Sequence, residues 1–223
     1  MGMFRKLRHA IKRRALRSRT PADIFREYVH TNKWGDAESV SGKGSNLQST
    51  EELRKLLPPL LKELGVRSML DLPCGDFHWM AHVDLTGIDY LGADIVPDLI
   101  ERNREKHARA GVSFAVVDLI EGPVPKADLV FVRDCLVHLS NDHARRALGN
   151  IRASGSTYLL TTTFPGTANT DIVTGEWRAI DLTRPPFGLP EPMRLIAEGR
   201  GWLKGQADDK MLGLWRISDL PAA

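Results

Sequence analysis

Four apolar runs in this chain end at or next to a carboxylate, and that pattern constrains the fold more than any other feature. Met69–Leu72 carries Asp71, Tyr90–Ile95 carries Asp94, Val112–Val117 stops at Asp118, and Ala127–Val132 is followed by Arg133-Asp134. A fifth run, Ser156–Thr163, leads into Phe164. Helical segments, about Pro97–Ala110 and Ala144–Arg152 among them, lie between most of these runs. Alternating strands and helices predict a mostly parallel α/β sheet with helices on both faces. In such a sheet the strand ends line up along one edge. Carboxylates gathered there repel one another unless a polar or cationic ligand lies among them. A chain of 223 residues is most simply one such domain with a substantial core.

The first of these runs ends in the sharpest turn. Residues 69–80 read Met-Leu-Asp-Leu-Pro-Cys-Gly-Asp-Phe-His-Trp-Met, and a segment able to start a helix follows the turn. Taken alone, this is also the form of an ordinary strand-turn-helix. No G-x-G-x-x-G is present, which weighs against a nicotinamide dinucleotide. The layout resembles the first motif of class I S-adenosylmethionine-dependent methyltransferases, acidic-x-Gly-x-Gly-x-Gly. Pro73 stands at the first glycine position and Phe77 at the third; only Gly75 remains. Pro73 has a fixed φ, so the turn must be made differently. Asp94 follows Asp71 by about one strand-helix-strand step, the distance to an acid that binds ribose hydroxyls.

Residues 66–164 resemble the cofactor half of that family. The resemblance implies a Rossmann-like seven-stranded sheet in the order 3-2-1-4-5-7-6. Its last strand would be Met211–Ile217, paired with Pro192–Ala197 through a hairpin. It implies S-adenosylmethionine as cofactor, with Asp71 and Gly75 by the methionine moiety. Asp94 would hold the ribose, and Asp118 with Leu119 would frame the adenine. Asp76, Trp79, Ile95 and Arg133 complete the implied cofactor set. Carboxylates are plentiful enough for a divalent ion such as Mg, but no spacing names a ligand set.

The chemistry is expected after the fourth run, at Arg133-Asp134-Cys135-Leu136-Val137-His138-Leu139. An alcohol acceptor benefits from losing its proton as it attacks, and a histidine with a near-neutral pKa suits that role. His138 is the candidate base, with Asp134 four residues earlier to orient it or to help place the cofactor; a structural core histidine is the alternative. His78 and His143 are weaker candidates. Two segments lack apolar periodicity. Residues 31–48 hold Trp34 and Glu38 among serines and glycines. They read as a ligand-covering loop, with a flexible linker as the alternative. Residues 166–188 hold Glu176, Trp177 and Arg178 and read as a second covering loop, able to stack on a sugar and hold its hydroxyls. A loop merely packed by Trp177 and Phe187 is the alternative there.

The strings N-x-W-G…E-S-V-S-G-x-G-S, D-L-P-C-G-D-F-x-W-M, R-D-C-L-V-H-L-S and G-x-W-R resemble a bacterial group of small-molecule methyltransferases. Within that group the chain is similar to the mycobacterial sugar O-methyltransferase acting on methylmannose oligosaccharides. The expected activity is methyl transfer to a hydroxyl of a sugar or oligosaccharide. Two other readings stay open: an RNA methyltransferase, and a catalytically silent cofactor-binding protein. The Asn/Asp-Pro-Pro-Tyr type turn used for methylating base amino groups is absent.

The first twenty residues form a basic arm. They hold eight of the 31 Lys and Arg and no acid, so residues 21–223 set 23 bases against 28 acids. Phe4, Leu7, Ile11 and Ala15 fall at near-helical spacing, which predicts a basic amphipathic helix ahead of the methyltransferase domain. Anionic membrane, nucleic acid and a second subunit are its candidate partners. Thr20-Pro21 reads as a capped helix start for Ala22–Val29. Ser49-Thr50-Glu51-Glu52 offers a capping box, and Pro58-Pro59 predicts a kink or restart in the helix that follows. No run of 18 apolar residues occurs and the arm has no apolar core of secretory type. With only Cys74 and Cys135, no disulfide framework forms, and a cytoplasmic protein with reduced thiols is expected.

Overall fold

The computed structural model describes residues 2–198 and 210–221. Seven strands form one sheet: β1 (Ser68–Asp71), β2 (Asp89–Asp94), β3 (Val112–Val116), β4 (Leu129–Val132), β5 (Tyr158–Thr163), β6 (Arg194–Ala197) and β7 (Met211–Arg216). Their order is β3-β2-β1-β4-β5-β7-β6, as the resemblance implies. Strands β1 to β5 are parallel, and β7 runs antiparallel to both β5 and β6. The connection between β6 and β7, expected as a hairpin, lies for residues 199–209 outside the described residues.

The strands alternate residue by residue between two cores, as period-2 geometry requires. Leu70, Val130, Val132 and Leu159 face one core, Met69, Leu129, Phe131 and Leu160 the other. Helix α5 (Asn141–Ala153) closes the first with Ala144, Ala147 and Ile151. Helix α3 (Glu51–Glu63) closes the second with Leu53, Leu57, Leu60 and Leu61, joined by Ile100 of α4 (Pro97–His107). Both faces of the sheet are therefore covered, which leaves its carboxyl edge as the place for a site. Two N-terminal helices, α1 (Gly2–Arg17) and α2 (Pro21–His30), precede α3. Thr20 caps α2 as expected, its side chain accepting from Asp23 N. Among the described residues no helix is long and apolar enough to cross a membrane.

Three local expectations fail, each for a stated reason. No α-helix joins β1 to β2; a single 3-10 turn, Met80–His82, stands in the crossover. Phe77 has φ 56°, a left-handed conformation that cannot propagate a right-handed helix. No capping box forms at Ser49. Asn46 Oδ1 takes the Ser49 N–H, Thr50 is the cap residue, and Glu52 pairs with Lys55 instead. Helix α3 runs unbroken through Pro58 and Pro59. A mid-helix proline costs about 3 kcal/mol, whereas each buried leucine contributes about 1.5–3 kcal/mol, and α3 buries four.

Candidate active site

The turn after β1 shows how the motif works without its other glycines. Positive φ falls at Gly75 (55°) and Phe77 (56°), the second and third glycine positions of the family pattern. Phe77 holds this conformation while buried against Tyr90, Phe114 and His107 at ring distances of 5.1–5.2 Å. Cys74 N donates to Ala93 O and Gly75 N to Asp94 Oδ2, so β2 fixes the turn from beside it. Gly75 is needed for space as well as for φ. A Cβ there would lie 2.1 Å from Ser41 Oγ.

The strand-end acids then meet along one cavity of about 850 Å³, which Asp71, Asp94, Asp118 and Asp134 all line. Asp71 accepts from Tyr90 Oη at 2.6 Å. Burial pushes its carboxyl up to about 7, although the Tyr90 bond and Arg133 oppose the rise. Burial likewise lifts Asp94 to about 6, against backbone bonds from Val96 and Gly75. Asp118 Oδ1 accepts from Ile120 N and Glu121 N and shapes the turn past β3. Ile95, Leu119 and Trp79 are in the wall of the same cavity. Among the described residues no three His, Cys, Asp or Glu side chains come together in a way that would hold a metal ion. Burial also raises both cysteine thiols, so neither is a ready thiolate.

Asp134 sits past β4 with φ 52°, its N–H bonded to Thr162 Oγ1. Its carboxylate meets Lys210 Nζ at 2.6 Å and Arg133 at 3.4 Å. Burial opposes the charge, but Lys210 and then Arg133 outweigh it and hold Asp134 down to about 2. Arg133 lines the cavity, yet its guanidinium is committed to Glu198 at 2.6 and 2.8 Å and stands 5.6 Å over the Trp79 ring. This network corrects one of the two roles expected of Asp134: its carboxylate is held by Lys210 and Arg133 and does not orient His138 through a hydrogen bond.

His138 is oriented by a backbone group instead. Its Nδ1 lies 2.9 Å from the carbonyl oxygen of Glu176. The segment carrying that carbonyl is registered on residues 136–138 by Gly175 N to His138 O and Arg178 N to Val137 O. Trp34 tilts against the imidazole at 5.8 Å and packs edge-on to Tyr28 at 5.4 Å. Tyr28 in turn donates to Gly175 O. The two segments that lack periodicity therefore meet over His138, and Trp34, Glu176 and Trp177 all line the cavity.

Three other expected site residues have different places. Asp76 is in the wall, but its oxygens accept from Ser39 Oγ, Val40 N and Ser41 Oγ, so it clasps the 31–48 loop. Glu38 is outside the cavity, half-exposed, accepting from Leu47 N and lying 3.4 Å from His78. Arg178 is a buried strut to Thr170 O, Leu136 O and Asn141 Oδ1, and burial lowers its pKa to about 10. Sequence reading missed Lys210, Glu198 and Tyr90, which partner the strand-end charges. It also missed Lys12 and Arg13 of α1, both in the cavity lining. The first two flank β6 and β7, and that position is the one signal available for them.

The clasp leads to an expected result. Asp76→Ala should speed amide exchange at residues 39–41, since three hydrogen bonds of about 1 kcal/mol each are lost. Adding S-adenosylhomocysteine and an acceptor to the wild type should slow exchange across 31–48 and 166–188, as loops closing on ligands do. Equal exchange with and without both ligands would leave these loops as packing alone.

Comparison with known proteins agrees with this architecture. A family model described as a methyltransferase domain matches residues 69–154. No curated protein matches the sequence. Magnesium protoporphyrin IX methyltransferase from Synechocystis PCC 6803, solved with bound S-adenosylmethionine, is 14% identical with a TM-score of 0.59; the match covers 89% of this chain and 97% of that one. Human N-acetylserotonin methyltransferase, solved with the same cofactor, is 15% identical with a TM-score of 0.53 over 88% of this chain. The chain spans 65% of that human chain's length. At such identity the likeness concerns the fold. Since the matched segment runs from β1 through α5 and the remaining strands complete the same sheet, the chain carries a methyltransferase domain and has the Rossmann-like fold of class I S-adenosylmethionine-dependent methyltransferases.

Proposed function

We propose that this enzyme transfers a methyl group to a hydroxyl of a sugar or oligosaccharide. The tautomer of His138 carries the reading. A carbonyl oxygen only accepts, so the contact to Glu176 O places the imidazole proton on Nδ1. Nε2 then holds a lone pair, and no described residue hydrogen-bonds it. Burial lowers the His138 pKa, partly opposed by the Glu176 bond and Asp134, so the ring is neutral at neutral pH. A neutral imidazole held in one orientation is a general base. A hydroxyl needs one; a neutral amine, already nucleophilic, needs it less.

The residues present fit the cofactor. Two buried carboxylates, Asp71 and Asp94, keep acceptor capacity beyond the bonds they make, on the same edge as Asp118. S-adenosylmethionine, when bound, supplies a methyl group activated by positive sulfur. This chain's residues do the rest: they hold the acceptor, exclude water and take its proton at His138 Nε2. Trp34 and Trp177 offer flat apolar faces to the C–H face of a sugar ring, and Glu176 and Asp171 stand in the same lining to receive hydroxyls. The cavity volume of about 850 Å³ is near the top of the ~300–1,000 Å³ range of single small-molecule sites, which suits two ligands side by side.

The test is methyl transfer from labelled S-adenosylmethionine to a panel of oligosaccharides, phenols, amines and RNA. Label on a glycan oxygen is the expected result. Label confined to amines or to RNA would replace the hydroxyl reading.

A further inference from the structure

Helix α1 has two sides with different surroundings. Leu16 is buried against Ile24, Tyr28 and Val173, and Arg13 lies 3.2 Å from Glu176. Those contacts seat one side of the helix on the body. At about 100° per residue, Leu7, Ile11 and Ala15 share the opposite side within roughly 80° of one another. Leu7 and Ile11 are 58% and 61% exposed, the most exposed large apolar side chains among the described residues. By the same angles Arg8 and Lys12 border this strip on one flank, and Arg14 and Arg17 border it on the other. All four are exposed. Acids are absent from the first twenty residues, while the rest of the chain is net acidic.

An apolar strip between two cationic flanks has the chemistry of a bilayer interface. Apolar side chains enter the boundary between head groups and acyl chains, and the cations meet lipid phosphates. We propose that α1 docks this protein on an anionic lipid surface through Leu7 and Ile11, with Arg8, Lys12, Arg14 and Arg17 on the head groups. Nucleic acid would satisfy the cations but leave both apolar side chains in water. The net-acidic body is repelled by the same surface, so the helix, not the body, makes the contact. Lys12 is both exposed and in the cavity lining, which puts the rim within about one helical turn of Ile11. A docked enzyme thus presents its cavity to acceptors carried on lipid. That consequence rests on the hydroxyl-transfer reading; the docking does not.

The experiment is co-sedimentation of the full chain with phosphatidylcholine vesicles, with and without phosphatidylglycerol, at low and high salt. Binding should require the anionic lipid and weaken several-fold at high salt. Leu7→Asp/Ile11→Asp should lower partitioning at least about tenfold at low salt, because the apolar burial is lost. Arg8→Glu/Arg14→Glu should lower it similarly. Both pairs are exposed, and unchanged circular dichroism and S-adenosylhomocysteine affinity would show that the body remains folded. Equal binding to both vesicle types, no binding at low salt, or a Leu7→Asp/Ile11→Asp variant that binds like wild type would each overturn the proposal. RNA binding indifferent to that variant, without vesicle binding, would assign α1 to nucleic acid. A lipid-free dimer lost in that variant would assign the strip to a second copy of the chain.

Discussion

His138→Ala is expected to lower turnover by about 10²–10⁴, the usual worth of a general base. The affinity for S-adenosylhomocysteine should stay within a few-fold of wild type, because the imidazole is proposed to face the acceptor. The wild-type rate carries a second signature. His138 must be neutral to accept a proton, so activity holds at and above neutral pH and falls as pH drops through its pKa. Burial sets that pKa below the ordinary histidine value, against the pull of Asp134 and the Glu176 carbonyl. The acid limb should therefore lie lower than that of an exposed histidine, and it should vanish from the residual activity of His138→Ala. A histidine that only braces the 173–178 segment would behave otherwise. Its removal would lower thermal stability and leave turnover in the folded fraction near normal. Should turnover survive intact, the base is elsewhere, with Glu176 of the cavity lining next in line.

Asp94→Ala is expected to weaken S-adenosylhomocysteine binding by one to two powers of ten. Charge-assisted hydrogen bonds to ribose hydroxyls are worth about 1.5–3 kcal/mol, which converts to roughly that range. Calorimetric titration reads it directly. Asp94 also holds Gly75 N and Val96 N, so the turn itself loosens with the substitution. A pH series separates the two effects. Burial raises the Asp94 carboxyl to about 6, and only the ionised form is a strong acceptor. Wild-type affinity should fall as pH drops through that value, and this step should be missing in Asp94→Ala, where only a contribution from Asp71, raised to about 7, would remain. Unchanged affinity in a folded variant would remove Asp94 from the cofactor site.

The acids at the ends of β1, β2 and β3 were legible in the sequence for a simple reason. Period-2 burial and alternation with helices define a parallel sheet, and a parallel sheet puts Asp71, Asp94 and Asp118 on one edge whatever the side-chain details. His138 was legible as a candidate because its chemistry is local to the turn after β4. Its orienting group was not. The Glu176 carbonyl is 38 positions away, and only the packing of 173–178 onto 136–138 brings it there. Charge partners were hidden in the same way. Asp134 read as a helper for His138, yet Lys210, 76 positions later, reaches it from the start of β7. Asp76 was implied as a cofactor residue by the resemblance, but the 31–48 loop takes its oxygens. Phe77 shows the limit most sharply. Local preference in an L-residue opposes φ 56°, and burial against Tyr90, Phe114 and His107 holds it there. Sequence alone determined the strands, their order by resemblance, and the edge that carries the site. The tertiary structure decided which side chain each charge meets, since pairing energies depend on distance and burial, and neither is a property of spacing along the chain.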